Sequence, residues 1–109
     1  TYTVLRSQLT KVLEKKFNKK NIIVAYEPIW SIGTGKIPNQ KDLFKTITHI
    51  KKVLKSIYKK NSPAVLYGGS VDENNIDILR EIKEIDGFLI GGASKSSKKF
   101  IDIIKNYYR

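Results

Sequence analysis

Apolar residues return with helical spacing at Val4, Leu5, Leu9, Val12, Leu13 and Phe17 until the polar stretch 18–21 stops them, which predicts a first amphipathic helix. Ile22-Ile23-Val24-Ala25-Tyr26 is continuously apolar and β-branched at its start, the pattern of a strand covered on both faces, and Glu27 ends it abruptly. A glycine-containing segment follows over 28–38. Leu43, Ile47, Ile50, Leu54 and Ile57 then mark one stripe of a second helix, with Asn39 as its N-cap and Asp42 in its first turn. Ala64-Val65-Leu66-Tyr67 reads as a short buried strand, Gly68-Gly69-Ser70 as a loop, and 76–82 as a short helix. Phe88-Leu89-Ile90 is a third strand, closed by Gly91-Gly92-Ala93-Ser94, and Phe100, Ile101, Ile103 and Ile104 sit on a last helix.

The order is one helix followed by three strand-loop-helix units, with polar or glycine-rich loops after each strand. That alternation predicts an α/β fold with parallel strands, and it puts function at the strands' C-terminal ends. Three strands do not close a (β/α)8 barrel, which typically takes about 250 residues.

Composition narrows the partners. At 109 residues, with 40% apolar and 28% charged positions, the sequence carries enough apolar surface for a core and lacks the profile of a disordered tail. The formal charge of +11 invites a nucleic-acid or anionic-membrane reading. Against it, only three of the 21 basic residues are arginine, and the lysines are spread over several helices without an interleaved aromatic platform. They read as solvated helix faces, so neither nucleic acid nor membrane is expected as a partner. With no cysteine and a lone His49, neither a disulfide framework nor a metal site is expected. No run of about 18 apolar residues and no signal-peptide layout is present, and an opening Thr1 suggests a segment of something longer.

Three loops are candidates for chemistry. Glu27 places a carboxylate at the mouth of an apolar strand, where it is either a site acid or a surface charge. The segment after it is stiff at Pro28-Ile29-Trp30, small and flexible at Ser31-Ile32-Gly33-Thr34-Gly35, and stiff again at Lys36-Ile37-Pro38. That layout describes a lid or an ordinary strand-to-helix loop. Gly68-Gly69 and Gly91-Gly92 each lie between a strand and a helix, where backbone N–H groups can approach an anion, or where glycines make a tight turn.

Read together, these loops are specific. Ala25-Tyr26-Glu27-Pro28-Ile29-Trp30-Ser31-Ile32-Gly33-Thr34-Gly35-Lys36 resembles the lid signature of the triosephosphate isomerase family. Tyr67-Gly68-Gly69-Ser70-Val71 with Asn75 resembles that family's next active-site loop, and Asp86-Gly87-Phe88-Leu89-Ile90-Gly91-Gly92-Ala93-Ser94 its last. The order and spacing also agree. The resemblance implies that 1–109 are one partial domain: the C-terminal portion of a TIM (β/α)8 barrel, incomplete on its N-terminal side, with about three βα units preceded by one helix.

The resemblance also implies roles. Glu27 is the expected catalytic base, moving a proton between adjacent carbons of dihydroxyacetone phosphate and glyceraldehyde 3-phosphate. Gly33, Ser70, Gly91 and Gly92 are the expected phosphate-binding residues. Pro28, Ile29, Trp30, Ser31, Ile32, Thr34, Gly35 and Lys36 form the lid, with Tyr67 in its latch, while Ile32 and Leu89 clamp over the base. No cofactor is expected; the partners are a small phosphorylated triose and, in the full-length family, a second subunit in a cytoplasmic homodimer. The family's lysine after the first strand and histidine after the fourth belong to regions this sequence does not include, and His49, on a Lys-rich helix, is expected at the surface. Activity of these residues alone is therefore not expected. Two departures stand out: Pro38 at the lid hinge, where the family uses a backbone N–H that proline lacks, and Lys95, which replaces a usual leucine and is expected to loosen packing below the last loop. The alternative is a non-catalytic phosphate-binding half-barrel or degenerate relic.

Overall fold

The computed structural model describes residues 2–13, 22–28, 36–59 and 62–109. Its elements run α1 (Tyr2–Val12), β1 (Ile23–Tyr26), α2 (Gln40–Tyr58), β2 (Ala64–Gly69), α3 (Ile76–Leu79), β3 (Gly87–Ile90) and α4 (Ser97–Tyr107), with a 3-10 turn at Gly92–Lys95 between β3 and α4. The strands lie in the order β1-β2-β3, and both pairings are parallel. The α/β alternation expected from the sequence is the one observed.

Local chemistry accounts for the helix ends. Asn39 Oδ1 accepts from Lys41 N at 2.8 Å and Asp42 N at 3.4 Å, which satisfies N–H groups left unpaired by the first turn of α2. The helix buries Leu43, Ile47, Ile50, Val53 and Leu54 and leaves Lys41, Lys45, Lys52 and Lys55 exposed, so these lysines are a solvated face. Ser96 caps α4 by accepting from Lys99 N at 3.3 Å.

One face of the sheet carries the core. Val65 and Tyr67 are fully buried against the α2 stripe, together with Ile76, Leu79, Ile82, Ile85 and Ile103, and Val24, Tyr26, Phe88 and Ile90 pack around them. Alternation sends Ala25, Leu66, Gly87 and, one step further, Gly68 and Leu89 to the other face. Among the described residues no helix covers that face, and Ile23 is 68% and Leu89 41% exposed. The double cover expected for β1 is thus corrected: among the described residues its apolar run meets helices on one side only.

Other boundaries also differ. β2 continues through Gly68 and Gly69, which pair with Leu89 and Ile90, so these glycines belong to the strand and not to a loop; the ladder needs only backbone groups. α3 is four residues long and is followed by tight turns, with Ile82 N donating to Leu79 O at 3.1 Å and Ile85 N to Ile82 O at 3.2 Å. On α1, Leu5, Leu9 and Leu13 pack inward while Val4 and Val12 are exposed; Phe17 and the polar stretch that ends the predicted helix lie outside the described residues. On α4 only Ile103 is buried, and Phe100, Ile101 and Ile104 face outward.

Asp86 ties three elements together. Its Oδ2 accepts from Val65 N at 2.8 Å, its own N–H donates to Val65 O at 2.9 Å, and Lys51 of α2 pairs with it at 3.2 Å. The bond to Val65 matters most, because Val65 is fully buried and its N–H would otherwise lose its acceptor. Asp86→Ala is expected to destabilise the fold by about 1–3 kcal/mol, whereas Lys51→Ala, which removes only a half-exposed ion pair, should cost below about 1 kcal/mol. Urea unfolding midpoints check this, and equal losses for the two variants would contradict it.

Candidate active site

Parallel register brings the chemistry to one rim. Tyr26 pairs with Tyr67 and Gly68 with Leu89, so the next residue along β1, Glu27, falls in line with Gly68 and Leu89. A Cβ built on Gly68 would stand 2.8 Å from Glu27 Cγ, 3.2 Å from Glu27 Cδ and 3.3 Å from Leu89 Cβ. The Glu27 side chain therefore lies across the glycine, in space that any other residue would fill. Glycine is required here by close approach, and the approaching group is the carboxylate-bearing chain. One step below, a Cβ on Gly87 would meet Leu66 Cδ2 at 2.8 Å, so this pair packs the same way.

Behind the rim, the rings of Tyr26 and Tyr67 stand 6.4 Å apart on the helix side. Burial first, then the neighbouring Tyr67 and Tyr2, raises the Tyr26 phenol above its usual 10.0, so it stays neutral at physiological pH. Tyr67, expected in the lid latch, is fully buried, with Ile37 packed against the same core.

The loop after β2 is braced by its own side chains. Asp72 Oδ1 accepts from Asn74 N at 2.8 Å and from Asn75 N at 2.9 Å, while Asn75 Oδ1 accepts from Asp72 N at 2.9 Å. Asn75 Nδ2 also donates to Ser70 O. These reciprocal Asx bonds fix the backbone at Ser70. Asp72 was not among the candidates and Asn75 entered only as part of a resembling motif, although Asp-x-Asn-Asn after a Gly-Gly pair is a readable turn signal.

The loop after β3 closes on Ser94, whose N–H and hydroxyl both reach Gly91 O, at 2.9 and 2.6 Å. Gly91 and Gly92 are exposed, and a Cβ on either would meet nothing within 4 Å. The chain's own packing therefore does not demand glycine at these positions, and the space in front of them is open. Between the two loops lies a cavity of about 350 Å³ lined by Gly69, Ser70, Asp72, Gly92, Ala93 and Lys99. A second, more apolar cavity of about 400 Å³ runs between α1 and β1, with Leu9, Val24 and Tyr26 on its walls and Glu27 at one end.

The expected residues are thus partly brought together. Glu27 and Leu89 converge over Gly68, and Ser70 and Gly92 share a cavity, with Gly91 anchoring its turn. Of the lid, Pro28 is buried and Lys36 exposed; Ile29, Trp30, Ser31, Ile32, Gly33, Thr34 and Gly35 lie outside the described residues. His49 is half-buried, stacked on Tyr2 with ring centroids 4.4 Å apart and its Nε2 3.2 Å from Tyr2 O, so its role is to join α1 to α2. Lys95 is exposed in the 3-10 turn. No helix among the described residues is long and apolar enough to cross a membrane.

Comparison with known proteins agrees with this fold. The family model described as triosephosphate isomerase matches residues 1–107. Triosephosphate isomerase of Mycoplasma genitalium is 41% identical over 108 residues, covering 94% of this chain and 44% of that protein. That of Bdellovibrio bacteriovorus is 41% identical over 103 residues, covering 94% and 42%. The crystal structure of triosephosphate isomerase from Bartonella henselae superposes with a TM-score of 0.86 at 31% identity, covering all of this chain and 44% of that one. The chain accordingly spans less than half the length of these relatives, and its three strands match part of a TIM barrel.

Gly68→Ala is expected to push the Glu27 side chain off its place and leave the helix-side core intact, since the clash is with a side chain at the open rim. The 13C shift of the Glu27 carboxyl should move while the thermal midpoint stays within a few degrees. An unmoved carboxyl resonance would refute the close approach.

Proposed function

The chain belongs to the triosephosphate isomerase family, and from that premise we propose that the polypeptide carrying it interconverts dihydroxyacetone phosphate and glyceraldehyde 3-phosphate in glycolysis and gluconeogenesis. Glu27 is the base; the family is a standing example of a glutamate working beneath a closing loop. The observation that carries the reading is the row at the rim: a carboxylate side chain laid over Gly68 beside Leu89, one strand-end away from the cavity of Ser70 and Gly92.

The chemistry follows from that placement. A carboxylate above a glycine can approach the hydroxyl-bearing carbon beside a carbonyl without a side chain between them. Proton abstraction from one carbon and return to its neighbour needs no other group on this segment to carry the proton. The phosphate does not react, but its binding at the N–H groups of Gly33, Ser70, Gly91 and Gly92 holds the reacting carbons at Glu27 and favours lid closure. Ile32 and Leu89 then exclude water over the base. Charge developing on the enediolate oxygens is assigned to the family's lysine and histidine, which these 109 residues do not include. The isomerase is therefore the whole barrel, read as a cytoplasmic homodimer, and 1–109 is one part of its single domain. Without those partners the same loops support a phosphate-binding half-barrel, the second reading.

Glu27→Gln in the longest natural reading frame is expected to lower kcat by about 10²–10⁴-fold, the usual contribution of a positioned base, with KM little changed. A coupled isomerase assay reads it; an unaffected kcat would remove Glu27 from the mechanism. Pro38 has no N–H to give the latch, so Pro38→Ala should strengthen closure by about 0.5–1.5 kcal/mol, the net value of one hydrogen bond. Lid exchange measured by relaxation dispersion should slow its opening, and identical exchange in both proteins would reject the latch argument.

A further inference from the structure

We infer that Lys99 adds positive charge to the phosphate cradle in this protein, strengthening its preference for a dianionic ligand. The inference rests on the phosphate-binding reading of the cavity and adds to it a residue outside the family signature.

The cavity between the loops after β2 and β3 has a mixed lining. Ser70 and Gly92 line it together with Asp72 and Glu73, two residues that carry carboxylates. Asp72 is held in place by its bonds from Asn74 N and Asn75 N, and so cannot turn away without opening the loop. A dianion entering there meets repulsion from both carboxylates, and neutral N–H donors offset only part of it. Among the described residues, Lys99 is the cation that lines this cavity.

Two other lysines are committed elsewhere. Lys98 pairs with Asp102 at 3.0 Å along α4, and Lys51 pairs with Asp86 at 3.2 Å. Lys99 makes no ion pair among the described residues, and its backbone N–H is fixed by the Ser96 cap at 3.3 Å. The cap sets the first turn of α4 and thereby the direction in which residue 99 leaves the helix. One residue earlier the side chain runs along the helix to Asp102; at 99 it borders the cavity.

The test uses the natural polypeptide that carries this segment and inorganic phosphate as the probe, with binding followed at the Ser70 and Gly92 amides by 15N NMR. At low ionic strength Lys99→Met should weaken phosphate binding by about threefold to tenfold, the range expected for a dianion and one solvent-exposed cation. The difference should shrink at high salt, as exposed charge interactions do. Lys99→Arg should stay within about twofold of the parent, and Lys98→Met, which removes the same charge one position away, should do the same. Equal losses for Lys98→Met and Lys99→Met would reduce the effect to net charge and overturn the inference, as would phosphate binding indifferent to Lys99 or absent from the parent. Turnover keeps the two readings apart. Lys99-dependent phosphate binding without triose phosphate isomerisation sinks the enzyme reading alone, while isomerisation with Lys99-independent binding sinks this one alone.

Discussion

Close contact between a side chain and a residue that has none organises the rim of this sheet. Glu27 can lie across β2 only because Gly68 leaves that space empty, and Gly68 sits beside Leu89 only because β2 and β3 are paired in that register. A shift of one residue in either pairing would turn Glu27 toward the helices or set it against a side chain. The placement of Glu27 is therefore a property of the sheet, whose register is held from below by the core and by Asp86 bonding to Val65.

The two faces of the sheet do different work. The helix side holds fully buried Val65 and Tyr67 against α2, and there apolar burial at about 25 cal/mol per Å² supplies the cohesion. The opposite side is bare among the described residues, with Ile23, Leu89 and the stem of Glu27 open to solvent. β1 and β3 each keep one edge without a strand partner among the same residues, an arrangement that favours association with further strands. Both features agree with a chain that spans 44% of its structural relative.

Local signals in the sequence were read well. Asn39 caps α2 through atoms two and three residues away, so its chemistry is complete within a few positions, and the α2 stripe needs only helical spacing to be seen. Glu27 was legible because a charge ends an apolar run. Non-local facts were not. Nothing near Gly68 in sequence says that Glu27 will lie over it, and residue type says little about how far a ladder continues, so the pattern ends β2 at Tyr67 while the ladder runs on to Gly69. The Asp86 bond to Val65 crosses 21 positions and the Lys99 cavity joins two separate loops, so both depend on the fold being in place. The apolar run of β1 states what the strand prefers to meet on both faces, and among the described residues helices meet one of them.

The mutual bonds of Asp72 and Asn75 give the loop at 70–75 a shape that exists before any ligand arrives. The phosphate proposed to bind there would be gauged by a template instead of moulding one. Little ordering is left to oppose its capture, and an oxyanion of unsuitable size or geometry gains nothing from a backbone that does not yield to it.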